Sequence, residues 1–61
     1  MNRLKVLRVM KNLTQKSLAT KIGVSQPLVC MLEKEKIFPS VELKKRISEI
    51  LGEPEQNIFR D

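Results

Sequence analysis

With 61 residues and a net charge of +5, from twelve Lys/Arg and seven Asp/Glu, the chain is large enough for one small domain and suits a polyanionic partner. The lack of His and the single Cys argue against a zinc cluster, a His-dependent nucleophile and an internal disulfide. There is no glycine-rich phosphate loop, and no apolar run is long enough for a signal or transmembrane segment. We therefore expect a cytoplasmic, non-enzymatic protein without a cofactor, whose single domain fills residues 1–61.

Two helices are predicted in the first third of the chain. Asn2 is a suitable N-cap for a helix that runs to about Lys11, and Asn12 tolerates the left-handed conformation that closes helices. Thr14 should then cap a second helix over residues 15–22, because a Thr hydroxyl can accept a hydrogen bond from the first turn.

A third helix should follow a glycine turn. Gly23 stops the second helix, and Ser25 is the expected cap of a helix that begins at Gln26. Pro27 is acceptable there because it lies in the first turn, where no intrahelical donor is lost.

The remainder of the chain predicts two further helices. Pro39 breaks the chain, Ser40 caps a fourth helix, and Gly52 ends it. Pro54 begins a short fifth helix. No stretch alternates with the period of a strand, so the fold class is all-α, a compact bundle of five helices. The apolar residues of the fourth helix recur at helical spacing, at Leu43, Ile47, Ile50 and Leu51.

The second and third helices carry the most informative pattern. Two short helices can meet near a right angle only if their contact is small, and Ala19 supplies a small side chain. Gly23 takes a positive φ that a Cβ would penalise, and Val24 can fold back into the core. Together these features indicate a helix-turn-helix. The full pattern is Gln15, Ala19, Gly23, Val24, Ser25, Val29 and Leu32.

The chain resembles the Cro/repressor (lambda-repressor-like, XRE) family of DNA-binding domains. The resemblance covers "LKVLRVMKNLTQKSLATKIGVS", "LEKEKIFPSVELKKRISEILG" and "NIF". It implies a bundle whose third helix enters the major groove, and an internal ion pair between Arg8 and Glu33. Without the resemblance, both residues would be read as surface charges.

Two positions depart from the family pattern. Lys34 and Glu35 stand where the family usually has Asn-Gly. Because a left-handed Glu35 would cost roughly 1–2 kcal/mol, we expect the third helix to run further or the loop to turn differently. Lys44 replaces a frequent Leu, so the fourth helix is either rotated slightly or uses the lysine stem as filler.

The third helix has a candidate reading face. Val29 and Leu32 define its buried side, and family members read bases from the positions of Gln26, Pro27 and Met31. The Gln26 amide matches adenine N6/N7, whereas Pro27 and Met31 can contact a thymine methyl, which favours an A/T-containing site. The residues predicted to face the groove are Gln26, Pro27, Cys30 and Met31, with Lys34 beyond them.

Phosphate contacts are expected at helix starts, where free amides and the helix dipole favour anions. The amides at Thr14 and Gln15 form one such site, and the Gln15 side chain adds a donor. Ser40 begins the other, with positive charge from Lys34 and Lys36. Thr14 and Ser40 can serve at the same time as simple caps.

Apolar residues beyond the expected core suggest self-association. They either cover a small core or form the interface of a weak homodimer, which in this family usually binds a pseudo-palindrome with half-sites about 34–36 Å apart. These residues are Val6, Val9 and Met10 in the first helix, and Ile50, Ile58 and Phe59 near the C-terminus.

The sequence thus predicts sequence-specific binding to double-stranded DNA by a transcriptional repressor that occupies an operator and associates with the nucleoid when bound. One alternative is a protein-interaction module, in which Pro27, Leu28, Cys30 and Met31 dock a protein. Another is a DNA-binding fragment of a larger regulator.

Overall fold

A computed structural model describes residues 2–59 as five helices and no strand. Residues 1, 60 and 61 of the predicted domain lie outside the described residues. The predicted all-α bundle of five helices is therefore confirmed. The helices are α1 (Leu4–Met10), α2 (Gln15–Ile22), α3 (Gln26–Glu33), α4 (Val41–Leu51) and α5 (Glu55–Ile58).

All five helices contribute to one hydrophobic core. The predicted inner residues of α3, Val29 and Leu32, are fully buried, and Ala19 lies buried in α2, which packs closely against α3. The core residues are Leu4, Leu7, Leu18, Ala19, Ile22, Val29, Leu32, Ile47, Leu51 and Ile58. None of the helices in residues 2–59 has the length and apolar content needed to cross a membrane.

The three C-terminal apolar residues of the predicted dimer surface differ in exposure. Ile58 was one of its candidate members, but it is fully buried and belongs to the core. Phe59 is half-buried and packs against that core. Ile50 remains 37% exposed. The expectation of a dimer surface at Ile58 is therefore wrong, and the sequence pattern failed because a helix of four residues shows too little periodicity to define a face.

Two of the predicted caps form as expected. The Thr14 hydroxyl accepts a hydrogen bond from Ser17 N at 2.9 Å, and Ser40 Oγ accepts one from Leu43 N at 3.2 Å. Ser25 occupies the N-cap position of α3, but its side chain makes no cap hydrogen bond.

The start of α1 differs from the prediction. Arg3 occupies the N-cap position, although Asn2 Oδ1 still accepts a hydrogen bond from Leu4 N at 3.2 Å. The Asn2 amide nitrogen donates to the Leu32 carbonyl at 2.8 Å, so this side chain joins α1 to α3. At the other end the helix stops at Met10, one residue early.

The turn between α2 and α3 satisfies the backbone groups at the end of α2. Gly23 adopts the predicted left-handed conformation with φ 77°. Its amide donates to the Thr20 carbonyl at 3.3 Å, and the amide of Val24 donates to the Ala19 carbonyl at 2.9 Å. This is the Schellman pattern, which holds α3 at a fixed angle to α2.

The same pattern closes α3, in contrast to the expected extension or different turn. Glu35 is left-handed with φ 59°, and the helix ends at Glu33. The amide of Glu35 donates to Leu32 at 3.1 Å, and that of Lys36 donates to Met31 at 2.9 Å. These bonds satisfy carbonyls that would otherwise lack partners, which offsets the steric cost of the left-handed side chain.

A partly buried ion pair connects the first three helices of the bundle. Arg8 Nε donates to Glu33 Oε2 at 2.5 Å, and the two side chains are only 10% and 4% exposed. Arg8 Nη1 donates to the Leu13 carbonyl at 2.7 Å, and Gln15 Nε2 donates to Glu33 Oε1 at 2.9 Å. One carboxylate therefore connects α1, α2 and α3, and these residues are not the exposed charges of the alternative reading.

Arg8→Met should lower the free energy of unfolding by about 2–4 kcal/mol, because it leaves the Glu33 carboxylate buried without its cation. A double variant with Glu33→Leu should recover part of the loss. Arg46→Met is the matched control, since Arg46 pairs with Glu42 at 2.6 Å on the surface, with side chains 49% and 75% exposed. That control should cost less than about 1 kcal/mol in urea denaturation. If the losses from Arg8→Met and Glu33→Leu simply add in the double variant, the two residues are not coupled.

Glu35→Gly should have a free energy of unfolding about 0.5–1 kcal/mol higher than Glu35→Ala, because both changes remove the carboxylate side chain and only glycine removes the steric cost of the left-handed conformation. Lys34→Gly is the control, since Lys34 has φ −86° and gains nothing from glycine. It should lower stability by a similar amount. If Glu35→Gly is no more stable than Glu35→Ala in thermal unfolding, the Glu35 conformation carries no strain.

Candidate nucleic-acid interface

One side of α3 is available to a ligand. Gln26, Pro27 and Lys34 are exposed, and Met31 is 37% exposed. Cys30 lies on the same side but is half-buried. The side chains predicted to face the groove therefore share one surface, in which Cys30 is recessed.

An open notch of about 460 Å³ joins this surface to the start of α2. Gln26 stands on its α3 wall, and Thr14, Gln15 and Lys16 form its α2 wall. The notch thus places a candidate base-reading amide beside a helix N-terminus. The remaining lining residues are Arg8, Val9, Asn12 and Leu13.

The start of α2 has the properties of an anion site. The first amides of a helix lack intrahelical partners, and Thr14 satisfies only that of Ser17. The amides of Gln15 and Lys16 remain for a ligand at the positive end of the helix dipole. The first turn contains no acidic residue.

Lys16 is a candidate residue that the sequence analysis missed. An ammonium in the first turn opposes the helix dipole, where a carboxylate would be favourable. A phosphate bound at the start of α2 would offset this unfavourable placement. The position of Lys16 two residues after the cap could have indicated this from the sequence.

Gln15 has a structural partner that was not predicted. Its amide nitrogen donates to Glu33 Oε1, and its side chain is half-buried. An amide nitrogen carries two hydrogens, so one donor remains after this bond. The side chain is thus held at the wall of the notch by the ion pair of Arg8 and Glu33.

The start of α4 is a poorer anion site. Ser40 caps it, and Lys34 and Lys36 are exposed in the preceding loop. However, Glu42 lies in its first turn and pairs with Arg46. That carboxylate partly cancels the positive end of the helix, which distinguishes this site from the start of α2.

Comparison with known proteins identifies the fold. A family described as Helix-turn-helix matches residues 4–58. The chain is 41% identical, over 58 residues, to an uncharacterized HTH-type transcriptional regulator of Methanocaldococcus jannaschii, with 95% of this chain and 88% of that protein covered. It is 35% identical, over 57 residues, to an uncharacterized HTH-type transcriptional regulator of Archaeoglobus fulgidus, with 93% and 80% covered.

These matches bear out the expected family resemblance, and with it the expectation of a protein that is not an enzyme. They cover the helix-turn-helix, the ion pair and both helix starts described above. The chain belongs to the helix-turn-helix family of the Cro/C1 (XRE) type.

Proposed function

We propose that the chain is a transcriptional regulator that binds duplex DNA with α3 in the major groove. The observation that carries this proposal is the shared notch, in which Gln26 of α3 faces the start of α2. Base readout and phosphate binding need adjacent groups of these two kinds. Both relatives are named as HTH-type transcriptional regulators, which supports the same role.

Base readout is assigned to the exposed side of α3. The Gln26 amide offers a donor and an acceptor, which match adenine in the major groove. Pro27 and Met31 offer apolar contacts to a thymine methyl. Cys30 is recessed between them and contributes at most a shallow contact. The preferred site should therefore contain A·T pairs.

Phosphate binding is assigned first to the start of α2. There Thr14, Gln15 and Lys16 line the notch, and the Gln15 amide nitrogen keeps a second hydrogen to donate. A second, weaker phosphate contact falls at Lys34, Lys36 and Ser40, where Glu42 reduces the attraction. Two such anchors would fix the register of α3 on the duplex.

The regulator would repress by occupying an operator. Two copies on a pseudo-palindrome would lie about 34–36 Å apart. With Ile58 buried, the predicted C-terminal pairing residues that keep exposed apolar surface are Ile50 and part of Phe59. The homodimer should accordingly be weak without DNA.

A protein-interaction role for α3 is less well supported. The apolar residues proposed to dock a protein include Leu28 and Cys30, and both are half-buried. What remains is the exposed part of Pro27 and Met31, flanked by the polar Gln26 and Lys34. So small an apolar area favours contact with single methyl groups over a protein interface.

Gln26→Ala should weaken binding to the preferred duplex by about 1–3 kcal/mol and have little effect on random DNA, because it removes contacts to base edges. Met31→Ala should weaken binding to the preferred duplex by less than Gln26→Ala does. Replacing the contacted thymine with uracil should remove most of the difference in affinity between Met31→Ala and the parent protein. Mobility-shift titrations of a selected and a random duplex measure both effects. If the preference for the selected duplex persists in both variants, α3 does not determine sequence specificity.

Lys16→Ala and Lys36→Ala should weaken binding to all sequences alike and lower the salt slope of log K by about one each, because each removes a phosphate contact. Lys45→Ala is the control, since Lys45 is exposed on α4 and is assigned no contact. Affinity measured across salt concentrations gives the salt slope of each of the three variants. A slope for Lys16→Ala equal to that of Lys45→Ala would remove the start of α2 from the interface.

A further inference from the structure

The notch has a third wall, formed by the end of α1 and the turn after it. This wall, here termed the α1 wall, consists of Arg8, Val9, Asn12 and Leu13. Asn12 is exposed, and among residues 2–59 no hydrogen bond or ion pair engages its side chain. A primary amide offers two donor hydrogens and an acceptor oxygen. All of these are available to a ligand in the notch.

The backbone of the turn holds Asn12 in place. Asn12 is left-handed with φ 58°. Its amide donates to the Val9 carbonyl at 2.9 Å, and the amide of Leu13 donates to the Arg8 carbonyl at 3.1 Å. This is the closing pattern that also ends α2 and α3. Because Arg8 is in turn bonded to Glu33, the fold sets the position of this turn, and only the side-chain torsions of Asn12 are free.

The other residues of the α1 wall are less suited to bind a ligand. Val9 has no polar side-chain atom, and the Leu13 carbonyl accepts a hydrogen bond from Arg8 Nη1 at 2.7 Å. Arg8 also donates to Glu33 through Nε, and its side chain is only 10% exposed. Asn12 is therefore the residue of this wall whose side-chain donors are free.

We propose that the side-chain amide of Asn12 donates a hydrogen bond to the DNA phosphate that binds at the start of α2. This inference rests on the proposed function and adds a contact residue to it. Asn12 and Lys16 line the same notch from two different elements, so both would contact one anion. A phosphate is favoured over a base edge because the α1 wall adjoins the start of α2, where the helix dipole attracts negative charge. The candidate reader of bases, Gln26, belongs to the wall formed by α3.

The first test removes the amide and keeps the backbone conformation. Asn12→Gly does this because glycine adopts a positive φ freely. We expect it to weaken binding about fivefold on the selected and the random duplex alike, because a hydrogen bond to phosphate carries no sequence information. The salt slope of log K should not change, because the lost group is neutral. Gln56→Ala is the matched control, since it removes an exposed amide on α5 that is assigned no contact, and it should leave affinity unchanged.

The second test adds a cation at the same position. Asn12→Lys should tighten binding to every duplex and raise the salt slope by about one, because its ammonium would meet the same phosphate. A long side chain is compatible with a left-handed backbone in this chain, as Glu35 shows with φ 59°. Gln56→Lys places the same charge on α5 and should change the slope less. Circular dichroism of each variant verifies that it is folded at the temperature of the binding measurement.

The third test locates the phosphate. A set of duplexes carries one neutral methylphosphonate each, at successive backbone positions. One position should remove most of the difference in affinity between Asn12→Gly and the parent protein, because the charged acceptor is then absent from both complexes. The same position should remove most of the difference for Lys16→Ala, because both residues are assigned to one phosphate.

Four results would overturn the proposal. Unchanged affinity of Asn12→Gly, together with weaker binding by Lys16→Ala, would make Asn12 a helix cap only and leave the proposed function intact. A loss confined to the selected duplex would assign Asn12 to a base edge. Different methylphosphonate positions for the two variants would show that they contact different phosphates. Failure of the parent protein to bind any duplex would refute the proposed function and this inference with it.

Discussion

The Glu33 carboxylate is the constraint on which the arrangement of the first three helices depends. Burying a charge is unfavourable unless its partners are complete, and here Arg8 and Gln15 both donate to it. Apolar burial is non-directional, so the core alone would tolerate small rotations of one helix on another. The ion pair is directional. It fixes α3 relative to α1 and to the start of α2, and hence fixes Gln26 relative to the notch.

Much of the fold could be predicted because its signals are local. Thr14 and Ser40 cap their helices through bonds that span three residues, and Gly23 needs only its own backbone conformation. The start of α1 was placed less well. There Asn2 bonds to the Leu32 carbonyl thirty residues away, and no local pattern contains that contact.

The errors near the end of α3 and in α5 have the same origin. Glu35 is left-handed because the carbonyls of Met31 and Leu32 gain partners in the closing turn, which outweighs the preference of an isolated residue. Ile58 is buried because α5 packs on α4. The exposed side of α3 was easier to predict, since helical geometry and two buried residues define it. The hydrogen bond from Gln15 to Glu33 could not be predicted, because the two residues are eighteen positions apart in the sequence.

The notch has a consequence for the folded chain itself. Lys16 holds a cation at the positive end of α2, and no acidic residue in the first turn relieves the repulsion. A bound anion would relieve it, and only the folded chain assembles the site. Folding and anion binding are then thermodynamically linked, so the protein gains stability from any phosphate or sulfate that occupies the notch. In a chain of 61 residues, whose core is small, such binding would make the ionic composition of the medium one of the factors that keep the protein folded.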